Sequence, residues 1–165
     1  MDIVIELIAD GLMIPIILIG MFALLFRVPN NQRYDRYLRI FMAGITSYMS
    51  AKFLGALWQP STMRPFEKLG VDPGAAYLNN PGFPSDHALF AGFLTLAVWY
   101  GTRSRILTGI MIVLTILVAV GRVLALVHTT LDVVGGLAVA LLGGVWYISY
   151  AKNKIYRRLA KTSNK

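Results

Sequence analysis

The sequence predicts an all-α fold, a polytopic transmembrane helical bundle of about five spans forming a single integral-membrane domain over residues 1–165. Two observations carry this expectation. Of the 165 residues 56% are hydrophobic against 15% charged, and the mean hydropathy is +0.61, too little polar surface to cover a soluble domain. The apolar residues also collect into runs close to the roughly 20 residues that cross a bilayer. Those runs cover about 3–26, 37–58, 83–101, 106–127 and 131–150.

The first run, "IVIELIADGLMIPIILIGMFALLF", is not a cleavable signal peptide, because Asp2, Glu6 and Asp10 make its leading end acidic and no small-residue cleavage site follows. The three acids recur every four residues and share one helix face, so residues 1–10 are expected to lie at the interface as a solvated end, with the span starting near Gly11. The second run carries Lys52 near its far end. The third opens on "FPSDHA", where a proline and a cap residue precede the apolar "ALFAGFLTLAVWY". The fourth ends in "GRVLALV". In the fifth, Gly136, Ala140 and Gly144 lie four apart, a small-residue stripe along which helices approach closely. Residues 59–84, between the second and third runs, form the one long connection. With five of the seven prolines between Trp58 and Pro84, it reads as a turn-rich cap rather than a further span.

Net charge is +8, and its distribution is a topology signal. Arg27, Arg33, Arg36 and Arg39 follow the first span, Arg103 and Arg105 lie between the third and fourth, and Lys152, Lys154, Arg157, Arg158, Lys161 and Lys165 follow the fifth. These all fall on one side of a five-span chain, which the positive-inside rule makes cytoplasmic. The N-terminus is then outside and the C-terminus inside the cell membrane (inner membrane). The tail "KNKIYRRLAKTSNK" suits a stop-transfer and anionic-lipid contact, and no nucleic-acid partner is expected. Absence of cysteine excludes thiolate metal sites, disulfides and a cysteine nucleophile.

The remaining cations, Lys52, Arg64, Lys68 and Arg122, fall toward the outer side together with both histidines. A charge near hydrocarbon costs about 2.5–3.5 kcal/mol on insertion scales, so such residues serve a function or move out to the interface. Singly each has a plain role: an interfacial polar end for either histidine, a snorkelling anchor for Arg122, a headgroup contact for Lys52, an N-cap for Ser85, Asp86 or Asp132. Jointly they describe a phosphate site. Helix N-termini and cations attract the anion, and one histidine attacks phosphorus while the other protonates the leaving oxygen. His128 and Asp132 are four apart, so a helical turn would let the carboxylate hold the imidazole.

At these residues the chain resembles the type 2 phosphatidic acid phosphatase family, membrane lipid phosphatases whose core and site are shared with vanadium haloperoxidases. "PSDH" at 84–87 matches the family's Pro-Ser-Gly-His with Asp86 for glycine, and "GRVLALVHTTLD" matches Ser-Arg, five residues, His, three residues, Asp with Gly121 for serine. The family's Lys, six residues, Arg-Pro is imperfect. Counting from Lys52 reaches Gln59-Pro60, whereas the Arg-Pro pair is Arg64-Pro65, and Arg64 is preferred because guanidinium suits phosphate. The stretch of about residues 50–140 looks closest to the undecaprenyl pyrophosphate phosphatase branch. The resemblance implies His128 as nucleophile through a phosphohistidine, Asp132 as its orienter and His87 as general acid. Lys52, Arg64, Ser85 and Arg122 would bind the phosphate, with no metal and no other cofactor. The implied partner is a membrane lipid with a phosphate or pyrophosphate headgroup, met from the bilayer on the extracytoplasmic face. Phosphatidylglycerophosphate, phosphatidate and lipid A phosphate are alternative substrates, a phosphotransferase is an alternative reaction, and a non-catalytic lipid-binding protein is the alternative class.

Overall fold

The computed structural model describes residues 3–148; Asp2, the last two residues of the fifth expected span and the basic tail lie outside the described residues. The helices are α1 (Ile3–Glu6), α2 (Met13–Phe26), α3 (Arg33–Leu57), α4 (Pro65–Leu69), α5 (Asp86–Thr102), α6 (Arg105–Leu124) and α7 (Thr130–Gly143), and no strand occurs among the described residues. Four helical segments, Ile3–Phe26, Asn30–Leu57, Arg105–Leu124 and Thr130–Ile148, are long and apolar enough to cross a membrane.

The third expected span, 83–101, is α5, which at 17 residues is shorter than those four. Its ends are set locally. Ser85 caps the start, its Oγ accepting from the Ala88 N–H at 3.5 Å, and Arg103 ends it in the left-handed region at φ 58° with its guanidinium over the Trp99 ring. A shorter helix suffices because α5 is the centre of the bundle, packed against α2, α3, α6 and α7. Its neighbours carry the lipid-facing surface: Leu18 and Phe22 on α2, Phe41 and Phe53 on α3, Val113 on α6 and Leu141 on α7 are all exposed, as apolar solvent requires.

Small residues let the helices close on α5. A Cβ on Gly136 of α7 would lie 2.5 Å from the Ser85 carbonyl oxygen, and one on Gly92 would lie 3.1 Å from the Ala140 Cβ. The expected stripe thus holds at Gly136 and Ala140, but its third member is Gly143, where a Cβ would lie 2.5 Å from the Ala43 carbonyl oxygen; Gly144 meets only its own preceding turn at Leu141. The cause is helix geometry, since 3.6 residues per turn carry the contact back by one position after two turns. Buried hydroxyls add directional contacts, Thr95 to Thr115 at 2.8 Å and Ser47 to the Ala140 carbonyl at 3.4 Å. Gly136→Val should destabilise the protein by roughly 1–3 kcal/mol through overpacking, lowering its thermal midpoint in detergent; an unchanged midpoint would show that α7 stands further from α5.

The first span differs most from expectation. The segment Leu7–Gly11 is π-helical, with the Leu12 N–H bonded to the Leu7 carbonyl at 3.0 Å, and α2 follows with Pro15 in its first turn. Pro15 has no N–H to give the Gly11 carbonyl, and the wider turn absorbs that break. Residues 3–11 therefore run on helically into the rest of the span. Ala9 is fully buried, and a Cβ on Gly121 of α6 would sit 2.8 Å from the Ala9 nitrogen.

Residues 58–84 form the expected turn-rich cap, with the short α4 as its only helix. The cap is stitched to the turn between α6 and α7. Gly74 N–H donates to the Ala125 carbonyl at 2.9 Å, Phe66 N–H to that of Leu126 at 3.0 Å, and Arg64 Nη1 to that of Val127 at 2.5 Å. Leu126 is held at φ 59° in this turn, a conformation unfavourable for a branched side chain and typical of positions fixed by their surroundings. His128 follows two residues later.

Candidate active site

Antiparallel packing brings one set of helix ends together. The C-terminal ends of α3 and α6 carry Lys52 and Arg122, the N-terminal ends of α5 and α7 carry His87 and Asp132, and the α6–α7 turn carries His128. A cavity of about 350 Å³ opens there, and Lys52, Arg64, His87, Arg122 and His128 all line it. Arg33, Arg36 and Arg39 open α3 at the opposite end, and Arg103 and Arg105 lie between α5 and α6 there. Charge patterning and motif positions thus agree on which end holds the site.

His128 is 5% exposed, and its Nδ1 lies 3.7 Å from Asp132 Oδ2, just outside hydrogen-bonding distance. It precedes α7 rather than sharing a helix face with Asp132, so the pair spans the helix start. Thr129 is the N-cap, its Oγ1 accepting from the Asp132 N–H at 3.2 Å while Asp132 Oδ2 accepts from the Thr129 N–H at 2.7 Å. This capping box fixes the carboxylate beside the imidazole. Among the described residues Nδ1 is a buried nitrogen without a hydrogen-bond partner. Burial lowers the His128 pKa from its ordinary 6.5, Asp132 opposes that shift and the Arg122 and Arg64 guanidiniums reinforce it. The imidazole is therefore neutral at neutral pH, the form a nucleophile requires.

Two consequences share one sign. The unfolded chain binds a proton on His128 before the folded protein does, so this group's contribution to stability is present above pH 6.5 and is lost as pH falls below it. The acid limb of kcat/KM should accordingly fall at a pH below 6.5; a limb at or above that value would show His128 protonated in the resting protein.

Arg122 is 1% exposed and heavily bonded: Nη1 donates to Asp10 Oδ1 and Nη2 to the Ala76 carbonyl at 2.7 Å, while the buried Nε has no partner among the described residues. Arg64 reaches the cavity wall from the cap. Its Nη2 donates to the Leu78 and Asn80 carbonyls at 3.1 Å and to Asn80 Oδ1 at 3.0 Å, and its guanidinium lies over Tyr77. Burial lowers its pKa, with Asp132 and Glu67 opposing. Gln59 also lines the cavity, but its amide clamps Phe83, Nε2 donating to the Phe83 carbonyl at 2.9 Å and Oε1 accepting from the Phe83 N–H at 3.3 Å. Arg64, by contrast, sends its guanidinium to the Val127 carbonyl next to His128.

Lys52 lines the cavity in an ion pair with Asp86, at 2.9 and 3.2 Å from its two oxygens. The acid that replaces the motif glycine thus faces the lysine of the first motif. Both side chains are substantially exposed, so the pair is weak and exchangeable. Ser85 behaves differently from expectation: it is fully buried, its hydroxyl caps α5, and it does not line the cavity. The peptide bond just before it, Phe83–Pro84, is cis.

Sequence reasoning missed Asp10. Its Oδ1 lies 3.4 Å from His87 Nε2 and pairs with Arg122, and its Oδ2 accepts from the Ala76 N–H at 2.7 Å. The available signal was an acid inside an apolar run, which is expensive unless paired. No group of three or more His, Asp or Glu side chains among the described residues is placed to hold a metal ion.

Two histidines and three cations line one cavity at one end of a helical bundle, four of whose segments are long and apolar enough to cross a membrane. The family model of the PAP2 superfamily matches residues 36–156, and the chain belongs to that superfamily. Membership assigns it to the phosphatases of lipid phosphates in a membrane. No curated protein and no solved structure matches the chain.

Proposed function

We propose that the protein hydrolyses undecaprenyl pyrophosphate to undecaprenyl phosphate at the extracytoplasmic face of the cell membrane, through a phosphohistidine. The observation that carries this reading is the convergence of His87, His128, Lys52, Arg64 and Arg122 on one cavity of about 350 Å³, room for a phosphate or pyrophosphate headgroup but not for a polyprenyl tail, which stays in the bilayer.

With Nδ1 of His128 turned to Asp132, Nε2 attacks the terminal phosphorus. A P–N bond forms, the P–O bond to the leaving phosphate breaks, and His87 gives its proton to the departing oxygen. Water then attacks the phosphohistidine, His87 takes the proton back, and orthophosphate leaves with His128 restored. Lys52, Arg64 and Arg122 supply the positive charge that the phosphoryl oxygens need in the transition state. Lys52 exchanges Asp86 for phosphate, and Arg122 offers the buried Nε.

The test is phosphate release from detergent-purified protein in EDTA, with undecaprenyl pyrophosphate, phosphatidylglycerophosphate and phosphatidate as substrates. Preference for the first, with an acid-labile phosphoenzyme trapped from labelled substrate, supports the proposal; preference for another lipid reassigns the substrate, and turnover without a phosphoenzyme removes the histidine pathway. Orientation is read separately. A cysteine placed at exposed Lys68 in the cap should react with an impermeant reagent from outside intact cells, and protection there would place the site in the cytoplasm.

A further inference from the structure

We propose that Asp10 is a positioning residue of this site, holding the His87 imidazole and the Arg122 guanidinium against the cavity from behind. The inference rests on the phosphatase reading above and adds a residue from outside the family motifs. Four observations support it.

One carboxylate oxygen serves both groups: Asp10 Oδ1 lies 3.4 Å from His87 Nε2 and also accepts from Arg122 Nη1. The ring is closed through the cap, because the Ala76 N–H donates to Asp10 Oδ2 at 2.7 Å while the Ala76 carbonyl accepts from Arg122 Nη2 at 2.7 Å. His87, Arg122 and Ala76 line the cavity and Asp10 does not, so the carboxylate stands behind the groups that face substrate rather than in the place of a phosphate. Finally, the approach is built in. The π-helical turn Leu7–Gly11 lies on α6 at Gly121, where a Cβ would come 2.8 Å from both the Ala9 nitrogen and the Ile8 Cγ2. Gly121 is where the chain departs from the motif serine, and a serine would push the segment that carries Asp10 away.

The chemistry follows from the contact. A carboxylate facing Nε2 fixes the orientation of the ring. The proton passed to the leaving oxygen is then that on Nδ1, and the neutral ring keeps its Nε2 proton toward Asp10. The second contact holds two of the Arg122 nitrogens and with them the plane of the guanidinium, whose Nε has no partner among the described residues.

The experiment is a double-mutant cycle on full-length protein in detergent micelles, with turnover of undecaprenyl pyrophosphate and of phosphatidate measured for Asp10→Asn, His87→Asn and the pair. Asp10→Asn should lower kcat by about tenfold or more, within the general-acid contribution of about 10²–10⁴, while KM changes less. In the His87→Asn background the same substitution should cost clearly less than in the parent, because one of the two groups it positions is gone and only the Arg122 contact remains to lose. Equal losses in both backgrounds, or none in either, would overturn the proposal. Gly121→Ser provides a second route should Asp10→Asn fold poorly. It leaves the acid in the chain but displaces its segment, and it should reproduce the kcat loss and the coupling to His87. Full activity of Gly121→Ser would also overturn the inference. Retained turnover in His128→Ala marks a different failure, that of the phosphatase mechanism itself.

Discussion

His128→Ala should lower lipid phosphate turnover by on the order of 10⁴-fold or more, because loss of a covalent nucleophile leaves only substrate binding and electrostatic stabilisation to act. The folded state should survive. The His128 Nδ1 has no hydrogen-bond partner among the described residues, and the turn that carries it is held by backbone bonds from Gly74 and Phe66. A thermal midpoint near that of the parent, together with lost turnover and no trapped phosphoenzyme, is the expected set of results. Near-parent turnover would rule out nucleophilic attack by this residue. Asp132 should be milder in chemistry but harsher in folding, since its carboxylate also closes the capping box with Thr129.

Arg122→Lys should be the next most damaging change, lowering kcat/KM by on the order of 10²–10³. Lysine keeps the charge but is a single ammonium on a flexible stem, whereas Arg122 spreads its contacts over a rigid plane. Two of its nitrogens are held by Asp10 and the Ala76 carbonyl, and the buried Nε has no partner among the described residues. An ammonium drawn to the half-buried Asp10 carboxylate is held away from the phosphate. Steady-state kinetics on the preferred lipid measure this directly, and a loss below about tenfold would mean that Arg64 and Lys52 carry the phosphate without it. Lys52→Ala is a useful contrast, because its exposed pair with Asp86 has little stability to lose.

Much of this arrangement was legible in the chain because it is local. Helix positions follow from apolar runs, and the capping residues Ser85 and Thr129 sit immediately before α5 and α7. His87 lies beside the start of one helix, and Arg122, His128 and Asp132 lie within a short stretch around one turn, so their spacing survives as a readable motif. Span length was less legible: the apolar run of the third span has 17 helical residues, and only its central burial explains why that is enough. The Gly144 error was a matter of helical phase over two turns.

The sequence by itself determined that this is a helical membrane protein and which helix ends carry charge, and its motif spacing singled out two histidines and three cations that line one cavity. Those properties reside in composition and in short-range spacing. Only the tertiary structure decided which groups meet across long separations: that Lys52 is held by Asp86, that Gln59 clamps Phe83 while Arg64 reaches the cavity, and that Ser85 turns inward. Asp10 is the clearest case, 112 residues from Arg122 along the chain. Its place depends on a π turn ahead of Pro15 and on the missing side chain of Gly121, two features whose effect appears only when two helices touch.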